Sequence, residues 1–258
     1  MTISPAEMAG SGLLLEVDGE VATVTLNRPE RRNAMTPRMW RGLAGIGAAL
    51  PPRTRIVIVR GAGPSFSSGI DLRMFSAEGV PGEDPPVSPA EPGFEQAVAS
   101  WQAGYTWLRD PAIVSIAAVR GHAIGAGFQL ALACDLRVLA SDARLCMKEP
   151  ALGLVPDLTG TKPLVDIVGL ARAVELCLTA RTVDASEASQ LRLAELVVPP
   201  AELDEAVADL AAALLATDPA ASRATKALLV QAAGNTLEQQ AAAERQAQAA
   251  LLRARLAR

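Results

Sequence analysis

Histidine is nearly missing from this chain: His122 is the only one in 258 residues. A multi-histidine metal site is thereby excluded, and a histidine-based triad would have no second ring to draw on. Cysteine is scarce too. Cys134, Cys146 and Cys177 make an odd set without metal-ligand spacing, each among apolar neighbours, which reads as reduced core thiols of a cytoplasmic protein. No apolar run approaches the roughly 18 residues of a membrane span. An excess of positive charge is absent: the formal net charge of −4 gives no footprint for nucleic acid. Residues 1–10 have neither a basic start nor an apolar core, so no secretory leader is expected. No internal repeat of fixed period is present.

What the chain does have is apolar bulk. Half of its residues are apolar, enough for one large domain, or a domain with a small appendage. Residues 13–18 and 21–26 read as two strands joined by Gly19-Glu20, a hairpin by turn chemistry. Thr36-Pro37 starts a helix, with Thr36 as N-cap and proline at the first helical position, and Pro51-Pro52 stops it. Residues 56–60 are a buried strand, so a right-handed parallel crossover follows. Residues 94–109 read as an amphipathic helix whose Trp101, Tyr105 and Trp107 belong to the core. Residues 113–119 read as a strand buried on both faces, and 136–140 as another. Helices are expected at 160–168, 171–179 and 185–191, with a short strand at 196–198. From Pro200 onward the chain reads as helical: 201–216, 219–233 and 237–257.

Residues 76–92 differ, being rich in proline, with Gly79, Gly82 and four acidic residues. Such a stretch packs no core and is expected as a mobile surface loop, either a lid or a solvated insertion.

Two glycine turns organise the rest. Gly125-Ala126-Gly127 opens the segment 128–134, apolar all round except for Gln129, and a helix with no polar face lies inside the protein. Its first turn leaves backbone N–H groups unpaired and unobstructed, a place to hold partial negative charge unless it is simply a close-packed turn. The second turn, residues 61–75 (GAGPSFSSGIDLRMF), also follows a strand and precedes an amphipathic segment.

FSSGIDL (Phe66 to Leu72), GHAIGAGFQLALACDLR (Gly121 to Arg137) and LNRPERRNAM (Leu26 to Met35) together resemble the signatures of the crotonase superfamily, the enoyl-CoA hydratase and isomerase family. The resemblance covers almost the whole chain. It implies an α/β fold: a crotonase-like (ββα spiral) core over residues 1–198 with the CoA-thioester site, and a C-terminal helical subdomain over 199–258 that forms homotrimers or dimers of trimers. It implies an acyl-CoA thioester as substrate, with coenzyme A entering as part of that substrate rather than as a cofactor, and no metal.

By the same resemblance, Ile70 N–H and Ala126 N–H form an oxyanion hole for the thioester carbonyl. Losing one such donor typically costs about 2.7–4 kcal/mol. CoA contacts are implied at Ile70, Asp71, Leu72 and Arg73, and the arginine cluster of Arg28, Arg31 and Arg32 offers phosphate partners, Arg31 among them as a CoA contact, unless these arginines are plain solvated charge.

The acid–base pair is where the chain departs from the family. Family hydratases use two glutamates, one on the buried helix and one in the following loop; here the helix position is Gln129, and an amide cannot exchange a proton at neutral pH. The loop position is Glu149, in apolar surroundings that would raise its pKa unless a cation pairs with it. One carboxylate suffices for double-bond isomerisation. Asp157, eight residues after Glu149, matches the spacing of the dienoyl-CoA isomerase branch, or else it caps the following helix. The sequence thus favours an enoyl- or dienoyl-CoA isomerase. The alternatives are an atypical hydratase in which Gln129 positions water, and a catalytically silent acyl-CoA binding protein.

Overall fold

The hairpin forms at the expected bounds, β1 (Leu13–Asp18) antiparallel to β2 (Val21–Leu26), with Leu13 opposite Leu26 and Asp18 opposite Val21. The computed structural model describes residues 10–83, 85 and 87–257. The expectation of no leader at the N-terminus falls on residues 1–9, outside the described residues, as do Asp84 and Pro86 of the proline-rich stretch.

Helix α1 (Pro37–Ala49) starts as its sequence requires: the Thr36 side chain accepts from Met39 N at 3.3 Å, and Pro37 takes the first position, where no N–H is needed. Its buried stripe of Met39, Leu43 and Ile46 recurs at helical spacing. Strands β3 (Ile56–Gly61), β4 (Val114–Val119), β6 (Leu136–Ala140) and β9 (Leu196–Val198) then add in parallel, giving a six-stranded sheet of order β1-β2-β3-β4-β6-β9.

Both faces of this sheet are covered. One side packs Ala22, Val24, Val57, Val59 and Ala117 into a core with α1, α2 (Phe94–Thr106) and α3 (Ala126–Ala133). On the other, Ile56, Ile116, Ala118, Val138 and Ala140 meet Leu203, Val207 and Ala211 of α7 (Leu203–Leu215). A parallel sheet covered on both faces explains why β4 is apolar apart from Ser115, whose buried hydroxyl donates to Leu108 O at 2.7 Å.

A smaller sheet was not foreseen: β5 (His122–Ile124) runs parallel to β7 (Arg144–Cys146), which pairs antiparallel with β8 (Val183–Asp184). Helix α6 (Ala185–Gln190) packs on β7 and β8, α5 (Leu170–Thr179) packs on the turn at Glu149–Leu152, and α4 (Thr161–Val168) packs against α3 and α5. The chain closes with α8 (Pro219–Ala232) and α9 (Leu237–Leu256), neither of which buries a residue within the chain.

Three expectations need correction. The helix expected over 94–109 ends at Thr106 and tightens into a 3-10 turn at Trp107–Arg109. The amphipathic segment expected at the second glycine turn is only a 3-10 turn at Leu72–Phe75, inside the stretch 61–75 rather than after it. The proline-rich stretch does contribute to the core, for Val80 is buried there, and Arg38 of α1 bonds the Gly82 carbonyl and, through its backbone N–H, Glu83 at 3.2 Å. Cys134 and Cys146 are buried and Cys177 is half-buried, all three unbridged; burial pushes the Cys134 thiol up to about 12. Among the described residues no helix is long and apolar enough to cross a membrane, and no cluster of three potential metal ligands occurs.

Candidate active site

The site is assembled by chain segments that the small sheet and the two glycine turns bring together. After β3 the chain passes Gly61 and runs beside β5. Phe66 N–H donates to Arg120 O at 2.9 Å, Ser67 N–H to His122 O at 2.8 Å, and Ile124 N–H to Ser67 O at 3.0 Å. Met35 N–H then donates to Gly69 O at 2.7 Å, and Asp71 N–H to Met35 O at 2.8 Å. These bonds flank Ile70 and leave its own N–H pointing elsewhere.

Neither Ile70 N–H nor Ala126 N–H donates to a protein acceptor among the described residues. The two turns touch. Gly69 has φ +94°, and a Cβ on it would lie 2.8 Å from Ile124 O and 3.9 Å from Ala126 N, so both the conformation and the approach demand glycine. Gly125, with φ +51°, faces the Glu149 carboxyl: a Cβ there would sit 3.1 Å from Oε1. Glu149 therefore lies against the residue preceding Ala126.

Strand β7 and the 3-10 turn Glu149–Leu152 deliver that carboxyl. Glu149 is 5% exposed, and its Oε2 has no hydrogen-bond partner among the described residues. Its Oε1 accepts from Gln129 Nε2 at 2.6 Å. Burial pushes the Glu149 carboxyl above the usual range; the backbone N–H groups of Glu149 and Lys148 and the bond from Gln129 oppose this, and the charge of Asp157 adds to it. Among the described residues no cation pairs with Glu149, so the ion-pair alternative is not realised there.

Gln129 is fully engaged at its oxygen, which accepts from Leu158 N at 2.9 Å and Gly160 N at 3.1 Å. Asp157 immediately precedes this contact. Its own carbonyl accepts from Gln102 Nε2 of α2 at 2.7 Å, and burial raises its carboxyl pKa. The capping alternative for Asp157 fails, since α4 has Gly160 at its N-cap and no side chain caps it.

The residues expected to meet CoA occupy the rim. Leu72 is 58% exposed, and Arg31 is exposed with no side-chain partner among the described residues. Arg73 and Arg28 share the buried Asp71 carboxylate, at 2.6 and 3.0 Å, and the Arg73 guanidinium holds Asp71 well below the usual carboxylate range. Sequence reasoning gave no role to Asn33. It is fully buried, takes Arg28 N–H on Oδ1 at 2.9 Å, and donates through Nδ2 to Ala62 O and Ser65 O at 2.9 and 2.8 Å, pinning the turn at 61–65. Little in the sequence signals this, because Asn33 follows the exposed Arg31 and Arg32 and reads as one more surface polar residue.

The family model described as enoyl-CoA hydratase/isomerase matches residues 16–255. The chain belongs to the enoyl-CoA hydratase/isomerase family. Both chemistries occur among relatives of this family member. It is 34% identical to the peroxisomal Delta(3,5)-Delta(2,4)-dienoyl-CoA isomerase of Arabidopsis thaliana, over 86% of this chain and 81% of that protein. It is 31% identical to the hydroxycinnamoyl-CoA hydratase-lyase of Pseudomonas fluorescens, over 82% and 75%. A crystal structure of an enoyl-CoA hydratase-type protein from Thermobifida fusca YX, in complex with CoA, superposes with a TM-score of 0.95 at 62% identity, covering 100% of this chain and 98% of that one. An enoyl-CoA hydratase-type structure from Thermobifida fusca YX in complex with acetoacetyl-CoA gives 0.94 at 63%, covering 96% and 98%. The sheet of parallel strands with its surrounding helices is thus the crotonase fold.

Proposed function

We propose that this family member moves a carbon–carbon double bond in an acyl-CoA thioester, with Glu149 as the proton carrier that enoyl isomerisation needs. The observation that carries the reading is the Glu149 carboxyl itself: buried, with Oε2 free, and beside a glutamine that cannot share its work. Oε2 takes a proton from the carbon next to the thioester carbonyl. The electrons move onto the carbonyl oxygen, where Ile70 N–H and Ala126 N–H receive the charge. The same carboxyl returns the proton to the far carbon of the former double bond, so no water is consumed.

Adding water would require a second group to exchange protons. The Gln129 amide is neutral, and its oxygen is already taken by two N–H groups. Asp157 extends the reading to 3,5-dienoyl substrates, in which protons move over a longer conjugated path. CoA would lie along Ile70, Asp71, Leu72 and Arg73, with Arg31 available to its phosphates, and no cofactor is called for beyond the CoA of the substrate. The CoA and acetoacetyl-CoA complexes from Thermobifida fusca YX support a thioester ligand. The unburied faces of α8 and α9, with Leu229, Val230 and Leu252 exposed, support assembly of the C-terminal region as a trimer or a pair of trimers. Three unbridged thiols suit a cytoplasmic setting.

The test is a panel of 2-enoyl-, 3-enoyl- and 3,5-dienoyl-CoA esters, with products identified by mass and ultraviolet absorbance. Isomerised 3-enoyl and dienoyl esters are expected, with Asp157→Asn losing only the dienoyl reaction. Fast hydration of the 2-enoyl ester without isomerisation would overturn the reading.

A further inference from the structure

We infer that Gln129 is a positioning residue for Glu149: the backbone locks its amide so that the NH2 holds one carboxylate oxygen and leaves the other as the only proton acceptor. The inference rests on the reading of Glu149 as proton carrier. Two N–H donors, from Leu158 at 2.9 Å and Gly160 at 3.1 Å, face the amide oxygen. Turning the amide over would set its NH2 against both of them, so the network admits one orientation. That orientation aims Nε2 at Glu149 Oε1, 2.6 Å away.

The lock is sterically tight. A Cβ on Gly160 would lie 2.5 Å from Gln129 Cγ, so the loop carrying Asp157 docks directly on this side chain. Gln129 thereby ties together α3, the Glu149 turn and the Asp157 loop.

Glutamine and glutamate would behave differently here. An amide donates at every pH, whereas a carboxyl donates only when protonated. A glutamate at 129 would keep its charge against the two N–H groups and confront Glu149 at hydrogen-bond distance, and two such carboxylates share one proton. The other titratable groups facing Glu149 are Asp157, Tyr105 of α2, Cys146 of β7 and Cys177 of α5, and the neighbouring Lys148 is exposed. Burial raises the tyrosine and both thiols, keeping them neutral, and Asp157 disfavours the Glu149 charge. Gln129 is therefore the side chain that favours the charged, proton-accepting form.

The test is a 13C NMR pH titration of protein labelled at glutamate side-chain carboxyls, with Glu149→Gln identifying the resonance, alongside pH profiles of kcat/KM on a 3-enoyl-CoA. Gln129→Met should raise the apparent pKa of Glu149 by about one unit or more, because a bond to a charged group is lost. The acid limb of kcat/KM should shift with it. Gln129→Glu, which keeps an acceptor for the two N–H groups, should give a two-step titration belonging to the pair, and it decides the matter if Gln129→Met does not fold. A Glu149 resonance titrating at the wild-type pH in a folded Gln129→Met protein, or one ordinary step in Gln129→Glu, would overturn the inference. Turnover surviving in Glu149→Gln would instead overturn the proton-carrier reading, which the NMR titration does not depend on.

Discussion

Helices α3 and α9 of this chain are held in opposite ways. The first has eight residues, all buried; the second has 20 and buries none. Eight residues are too few for a stable isolated helix, and no side chain caps α3, so it exists because Phe128, Leu130 and Leu132 pack in the core. Helix α9 relies on local terms: a capping box between Thr236 and Gln239, Glu238 in the first turn, and Arg253 and Arg255 in the last. The difference explains where the chemistry sits. A polar side chain on α3 cannot wander, and Gln129 is therefore held by three bonds, whereas among the described residues Gln240 of α9 makes two.

The sharpest test of the contrast pairs two leucines. Leu130→Ala on α3 should cost about 2–5 kcal/mol in denaturant unfolding, and Leu252→Ala, at a position 49% exposed, within about 0.5 kcal/mol. A comparable loss at Leu252 would break the contrast and mean that a second copy covers α9.

A smaller effect is expected at Glu149. Burial raises its pKa in the folded state, so the folded chain holds this proton more tightly than the unfolded chain. The resulting stability is complete below the unfolded value and is lost as pH rises through the folded value. Glu149→Gln should therefore raise Tm at pH 7 to 8, with the difference fading as the solution is acidified below about pH 4. A lower Tm at neutral pH would show that the carboxylate stabilises the fold rather than straining it.

Much of this arrangement was legible in the sequence because each signal was long or chemically specific. The hairpin, the Thr36 cap and the apolar run of β4 carry their periodicity or their cap on their face. Strands β5, β7 and β8, of two or three residues, are too short to display a period, so the sheet that aims Gly125 and Glu149 at each other was invisible. The turns at Gly69 and Gly125 were visible as glycine patterns, but their mutual contact is a long-range fact. The Gln129 substitution was evident as a missing acid; that its oxygen is bound by Leu158 and Gly160 depends on a loop 29 to 31 residues away. Asp157 illustrates the limit, since the sequence left capping and proton transfer equally open and only the position of Gly160 removed the cap.

The central claim is that one carboxyl carries the proton. Its most direct test is turnover of a 3-enoyl-CoA by Glu149→Gln, with binding of the ester checked separately by calorimetry. The account predicts that kcat falls by a factor on the order of 10³ or more while the ester still binds. Retained turnover in the folded variant would contradict it.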